Sequence, residues 1–217
     1  MPDFDGRTLC AILSEEYPAN VGTGAQISVL SAQYYEGHGI EPRPLTKDKF
    51  LLVGAMICGG AAFAVLENFF REYAAAAGAP DVPQFEVMKR LLEQQTNQAE
   101  AWEVQTTFAG TRENPDETGM IEGIFHPASI IRDVLNGMAQ EFYDLYTAIQ
   151  NGTGVSKSRL IASGNGVRRN TALQNILQDR FGMPLKVEQN EEEAAFGAAV
   201  SGLIAAGAYS LEQRLSM

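Results

Sequence analysis

The sequence predicts an α/β domain in which helices cover an open mixed sheet. Three observations lead there. Gln26 to Ser31 alternates polar and apolar side chains with the two-residue period of a half-buried strand. After Gly59-Gly60 the period lengthens, placing Phe63, Leu66, Phe70 and Tyr73 three or four residues apart on one helix face. In the last third, a short apolar strand followed by a helix occurs twice.

Taken in order, the segment from Ala19 to Met56 reads as three strands in a short antiparallel meander, the last around Leu51-Leu52-Val53. Val21-Gly22-Thr23-Gly24 forms its first turn, where glycine permits the positive φ of a tight hairpin. The helix from Phe63 ends at Gly78-Ala79-Pro80, and a second follows Pro83 through Phe85, Met88, Leu91 and Leu92. Glu103 to Phe108 reads as a strand, and Ala109 to Gly123 as a loop long enough to be functional. Pro127 suits the first position of a long helix that buries Ile131, Val134, Leu135, Met138, Phe142 and Leu145. Leu160-Ile161-Ala162 is a buried strand, and Ser163-Gly164-Asn165-Gly166 a glycine turn. Leu173, Ile176, Leu177 and Phe181 mark a helix closed near Gly182, and Leu185-Lys186-Val187 is the next strand. Asn190 then caps a final helix with Glu191, Glu192 and Glu193 in its first turn, favoured by the helix dipole.

The chain has 217 residues, enough for one domain or two small ones. Its 27 acidic and 16 basic side chains give a net charge of −11. Such an excess argues against nucleic-acid and anionic-membrane partners, which need a concentrated positive footprint. Cys10 and Cys58 are too few for a disulfide framework and lack CxxC spacing. The apolar stretch from Phe50 to Leu66 stops at Glu67, short of the ~20 residues of a membrane span, and no secretory signal precedes it. A reduced, cytoplasmic protein is therefore expected. With only His38 and His126, His-rich metal sites are excluded, and no metal ligand is assigned.

Two glycine turns stand at the ends of predicted strands, where main-chain N–H groups can converge on an anion. One is Gly22-Thr23-Gly24, which an ordinary hairpin also explains. The other is Ser163 to Gly166, ahead of Arg168, Arg169 and Asn170; a plain strand-to-helix connection is its alternative. Neither is a Walker loop or a dinucleotide fingerprint. Gly59-Gly60-Ala61-Ala62 is a third cluster, explained equally by helix packing. Gly110-Thr111-Arg112 offers a loop arginine, and Glu191 to Glu193 reads as a helix start rather than an acid–base pair.

Together, Asn20 to Gln26, Cys58 to Ala62, Phe108 to Arg112, Ala162 to Asn170 and Glu191 to Ala199 fall in the order and spacing of a known family. The chain resembles the carboxy-terminal domain of FGGY carbohydrate kinases over nearly its whole length. The Ser-Gly-Asn-Gly turn followed by Arg-Arg-Asn makes it most similar to the sedoheptulokinase-type branch. The resemblance implies an actin-like ATPase, ribonuclease-H-like domain that uses ATP and Mg²⁺. By the same likeness, Gly22, Thr23 and Gly24 face the β- and γ-phosphates, with the Thr23 hydroxyl as donor. Gly59 and Gly60 match the start of the helix beneath the nucleotide. Gly164, Asn165 and Gly166 match the turn that admits ribose and adenine, and Asn170 a polar position near the base.

The family's amino-terminal domain holds most of the sugar site and the catalytic aspartate, and 217 residues leave no room for it. The family's Asp-x-x-Gln segment is not recognisable in Met1 to Asn20, so no catalytic base is assigned. The expectation is half of an ATP-dependent sugar kinase, a fragment or one product of a split gene, inactive alone and completed by an amino-terminal domain. A non-enzymatic actin-like domain that oligomerises or regulates a partner is the alternative. The thin helix face from Ala194 to Ala199 suits that reading, with a homodimer among the options.

Overall fold

The structure, a computed structural model, describes residues 17–22, 24–94, 103–122 and 126–188, together with 195, 198–199, 202–203 and 206–207. A hairpin of β1 (Tyr17–Val21) and β2 (Ala25–Ser31) opens it, followed by β3 (Ile40–Pro44) and β4 (Phe50–Met56). Helices α1 (Gly60–Ala76) and α2 (Phe85–Gln94) come next, then the short strands β5 (Glu103–Gln105) and β6 (Met120–Glu122). The long helix α3 (Pro127–Thr153) leads to β7 (Leu160–Ser163), the single turn α4 (Asn165–Arg168), α5 (Thr171–Phe181) and β8 (Leu185–Val187).

Six strands form the main sheet in the order β3-β4-β2-β1-β7-β8. β1 runs parallel to β7, and β7 to β8, whereas β2 is antiparallel to both β1 and β4. The sheet is mixed, as expected, but the meander is not. Four strands replace three, and β4 lies between β2 and β3. The physical reason is visible in the sequences. β2 and β4 are seven-residue strands paired along their whole length, Ala25 opposite Met56 through Ser31 opposite Phe50. β3 carries Pro42 and Pro44, which lack the N–H a central strand must donate, so it can pair on one side only.

Two further expectations change. The strand from Glu103 ends at Gln105, because Phe108 N–H bonds back to the Thr106 carbonyl at 2.8 Å and turns the chain. Within the expected loop, β6 returns to pair with β5. Asn190, Glu191, Glu192 and Glu193 lie outside the described residues, as do Cys10 and Thr23.

α3 is the spine of the core. Pro127 sits in its first turn and Gly154, at φ 70°, closes it in the left-handed conformation. Its expected stripe is buried from Ile131 to Phe142, while Leu145 is half-buried against Gly54, where a methyl would come within 3.0 Å. Each such side chain removed from water is worth roughly 1.5–3 kcal/mol. Ile27, Val29 and Leu52 meet that stripe from the sheet, and Leu51 and Val53, alternate residues of β4, belong to a second cluster with Leu30 and Leu45.

Candidate functional site

β1 and β7 lie side by side with Asn20 opposite Ser163, then part company. β1 turns back into the hairpin towards β2, and β7 runs into α4. Two antiparallel pairings make β4 parallel to β1, so β4 ends at the same edge and launches α1 there. In open α/β sheets, the crevice beyond the carboxyl ends of diverging strands is where ligands bind.

Here the three glycine segments meet. A methyl group on Gly60 would stand 2.5 Å from the Gly22 carbonyl oxygen, and one on Gly59 2.5 Å from the Ala25 Cβ. From the other side, a methyl on Gly164 would lie 2.6 Å from the Val21 carbonyl oxygen, and one on Gly166 2.8 Å from the same atom. Gly164 also holds φ 89°. Gly24 is the most permissive, with 3.3 Å to the Met56 carbonyl. Backbone thus packs on backbone around Val21 and Gly22, with Gly60 N–H bonded to the Gly22 carbonyl at 2.8 Å. Ser163 to Gly166, expected as a glycine turn, is Gly164 at positive φ followed by a helical turn.

The polar side chains divide their roles. Asn165 Oδ1 accepts from the Arg168 guanidinium at 3.0 Å, and Arg168 Nε donates to the Glu188 carbonyl at 3.3 Å. Arg168 therefore clamps α4 to the end of β8, while Arg169 is exposed. Asn170 caps α5, its Oδ1 accepting from Leu173 N–H at 3.0 Å. Asn20, to which the sequence assigns no role, is buried with its Nδ2 unpartnered. Its Oδ1 lies 3.3 Å from where a Gly164 methyl would sit. A polar residue at the end of an apolar strand, just before a glycine turn, was the available signal.

The Phe108 to Arg112 loop reaches this edge through Cys58. Ala109 N–H donates to the buried Cys58 Sγ at 3.1 Å, anchoring the loop beside the start of α1. Arg112 instead reaches Glu41 on β3, at 2.8 Å, in an exposed pair of small energetic worth.

Among the described residues no cluster of three His, Cys, Asp or Glu could hold a metal, and no helix is long and apolar enough to cross a membrane. At this edge the Gly22 and Gly60 N–H groups are bonded to the Gly24 and Gly22 carbonyls, and the buried donor without a partner is Asn20 Nδ2. A neutral amide donor of that kind suits an anionic or polar ligand atom.

Known proteins point the same way. The FGGY family of carbohydrate kinases, C-terminal domain, matches residues 18–206. No curated protein matches the chain. Solved structures resemble it: a xylulose kinase from Rhodospirillum rubrum at 18% identity and TM-score 0.77, covering 98% of this chain and 43% of that one. A gluconate kinase from Lactobacillus acidophilus aligns at 18% and 0.78, covering 96% and 42%. Plasmodium falciparum glycerol kinase, solved with ADP, aligns at 18% and 0.72, covering 98% and 43%. At such identities the likeness is one of fold, the actin-like, ribonuclease-H-like fold. The chain spans less than half the length of each. With the family matched across most of its residues and the fold shared from β1 onward, the chain belongs to the FGGY carbohydrate kinases, as their C-terminal domain.

Proposed function

We propose that residues 1–217 form the nucleotide-binding half of an ATP-dependent carbohydrate kinase, which transfers the γ-phosphate of ATP to a sugar hydroxyl together with an amino-terminal domain. The observation that carries this reading is the convergence of Gly22–Gly24, Gly59–Gly60 and Gly164–Gly166 on the end of β1. Glycine lets the three segments pack main chain on main chain there, and glycine turns at strand ends are where main-chain N–H groups can face an anion.

In this reading the Gly22-Thr23-Gly24 hairpin faces the β- and γ-phosphates, with the Thr23 hydroxyl as a donor. Gly59 and Gly60 hold that hairpin against α1. Gly164, Asn165 and Gly166 border the ribose and adenine, and Asn170, whose Oδ1 is engaged in capping, presents its Nδ2 to the base. When bound, Mg²⁺ neutralises charge on the phosphates. The unpartnered donor beside Val21 is the neutral Asn20 amide, suited to a phosphate oxygen rather than to the ion, which would arrive held by the nucleotide and water. No catalytic base is assigned to this chain. A ketose of the sedoheptulose type is the favoured substrate, on the Ser163-Gly164-Asn165-Gly166 turn with Arg168-Arg169-Asn170 after it. A cytoplasmic setting suits such chemistry.

Half a cleft loses the positioning and water exclusion that phosphoryl transfer depends on, so the chain alone should turn over negligibly. Calorimetry with Mg-ATP tests the proposal, on the chain alone and then mixed with a cognate amino-terminal domain. Binding in the mixture is expected, and its absence sinks the reading. Thr23→Val should weaken that binding without unfolding the domain.

A further inference from the structure

We infer that the side chain of Asn20 is a phosphate-binding group, whose Nδ2 donates to a non-bridging phosphoryl oxygen once the β7 turn gives way to admit it. Within the nucleotide reading above, on which this rests, Asn20 adds a side-chain contact to the three glycine segments.

Strand alternation sets where the side chain goes. Ala19 and Val21 on β1 and Ala162 on β7 are fully buried in the core that α3 fills. Asn20 and Ser163, opposite each other in register, therefore share the other face of the sheet, at its crevice end. Both are buried, Asn20 at 7% exposure. Its Oδ1 lies 3.3 Å from where a Gly164 methyl would stand, so the amide abuts the turn from β7 into α4.

The amide is out of place in energetic terms. Among the described residues, four buried side-chain atoms have no hydrogen-bond partner, and three are the hydroxyls of Ser28, Thr107 and Thr147. A hydroxyl turns about its C–O bond to suit a neighbour, whereas the N–H groups of an amide are fixed in its plane. Ser28 also sits two residues deeper along β2 than Gln26, the partner of Asn20. A stranded amide opposes folding, and an apolar side chain of the same size would not. A partner arriving from the crevice accounts for it.

What the donor lacks is an acceptor, which excludes a metal ion. An ionised oxygen is a stronger acceptor for a neutral N–H than a sugar hydroxyl is. Arg168, the cation of the neighbouring turn, is engaged with Asn165 and the Glu188 carbonyl, so the Asn20 amide takes the oxygen without it. Nδ2 is covered as well as unpartnered, so an oxygen reaches it only when a neighbour yields. Gly164 and Gly166 bring no side chain to this seam and rest against the Val21 carbonyl by main-chain contact, which makes the β7 turn the element that shifts.

Heteronuclear NMR of the chain mixed with a cognate amino-terminal domain tests this, with Mg-ATP and with Mg-tripolyphosphate, which has no nucleoside. The Asn20 side-chain amide signal, identified by its loss in Asn20→Leu and Asn20→Asp, should move with both ligands, as should the backbone signals of Gly164 and Gly166. Calorimetry should show Asn20→Leu weakening both ligands roughly ten- to hundredfold, the worth of a hydrogen bond to a charged oxygen. Asn20→Asp, the same size but an anion without the donor, should weaken them further. The urea midpoint of ligand-free Asn20→Leu should be unchanged or higher; a lower midpoint with unchanged affinity makes Asn20 structural and overturns the assignment. If Mg-ATP binds and neither its affinity nor the Asn20 signal responds, the assignment falls and the nucleotide reading stands. If tripolyphosphate moves the Asn20 signal while Mg-ATP fails to bind, the nucleotide reading falls and Asn20 stands as a phosphate group. If neither ligand binds, both fall.

Discussion

The main-chain N–H of Gly60 donates to the carbonyl of Gly22 across 2.8 Å, fastening the first turn of α1 to the β1–β2 hairpin. The two segments lie 38 positions apart in sequence and are joined there main chain to main chain.

Gly60→Ala should therefore destabilise the domain. In an ordinary helix this change gains roughly 0.5–1 kcal/mol. Here the added methyl would stand 2.5 Å from the Gly22 oxygen, and overpacking of this kind costs about 1–3 kcal/mol. Urea unfolding should show a net loss of about 1–2 kcal/mol. A stabilised variant would mean that the hairpin yields easily.

Gly164→Ala and Gly78→Ala form a matched pair. Both glycines hold positive φ, 89° and 87°, but Gly78 faces open space while Gly164 abuts the Val21 oxygen. Backbone strain alone should cost Gly78→Ala about 1 kcal/mol. Gly164→Ala should lose roughly 2–4 kcal/mol, because steric overlap adds to the strain. Equal losses in thermal unfolding would remove the packing argument for the β7 turn.

Glu67 is buried beneath α1, and its Oε1 accepts from Gln84 N–H at 2.7 Å, one residue before α2. Glu67→Ala should cost about 1–2 kcal/mol by stranding that donor, whereas Glu67→Gln keeps an acceptor and should cost less. Hydrogen exchange at the first turn of α2 should accelerate in the alanine variant alone.

Glu141, on α3, titrates above the ordinary carboxylate range. Burial is the main cause; the Thr106 hydroxyl, bonded to its carboxylate, partly opposes it, and Asp144 and Glu117 push further upward. The folded protein thus holds this proton more tightly than the unfolded chain, whose value is near 4.5. Stability from this group is intact below that pH and is lost as pH rises through the folded value. Glu141→Gln should flatten the pH dependence of the urea midpoint and raise the midpoint at neutral pH. An unchanged profile would place the charge in water.

Much of this fold was legible in the residues themselves. The alternation of Gln26 to Ser31, Pro127 at the start of α3 and Gly182 at the end of α5 are local signals, and the chain obeys them. Strand order was not legible. β4 displaces β3 from the side of β2 through pairing across distance, which no local period encodes. The glycine segments were legible as a set, but not the reason they need glycine. That lies in clashes with Val21 and Gly22, and the burial of Asn20 with its Nδ2 unpartnered emerges only from the packing around it. The contacts of Arg168 with Glu188 and Asn165 were not legible either, because they depend on the end of β8 lying within its reach.

Pro42 and Pro44 leave the outer margin of the sheet without two of its main-chain donors. A strand from another molecule finds carbonyls there but too few hydrogens to stitch to, so that margin resists sheet-to-sheet polymerisation. Any assembly on this flank is left to side chains. Unlike a backbone ladder, which tolerates almost any sequence, such an assembly can be switched on or off by a single codon.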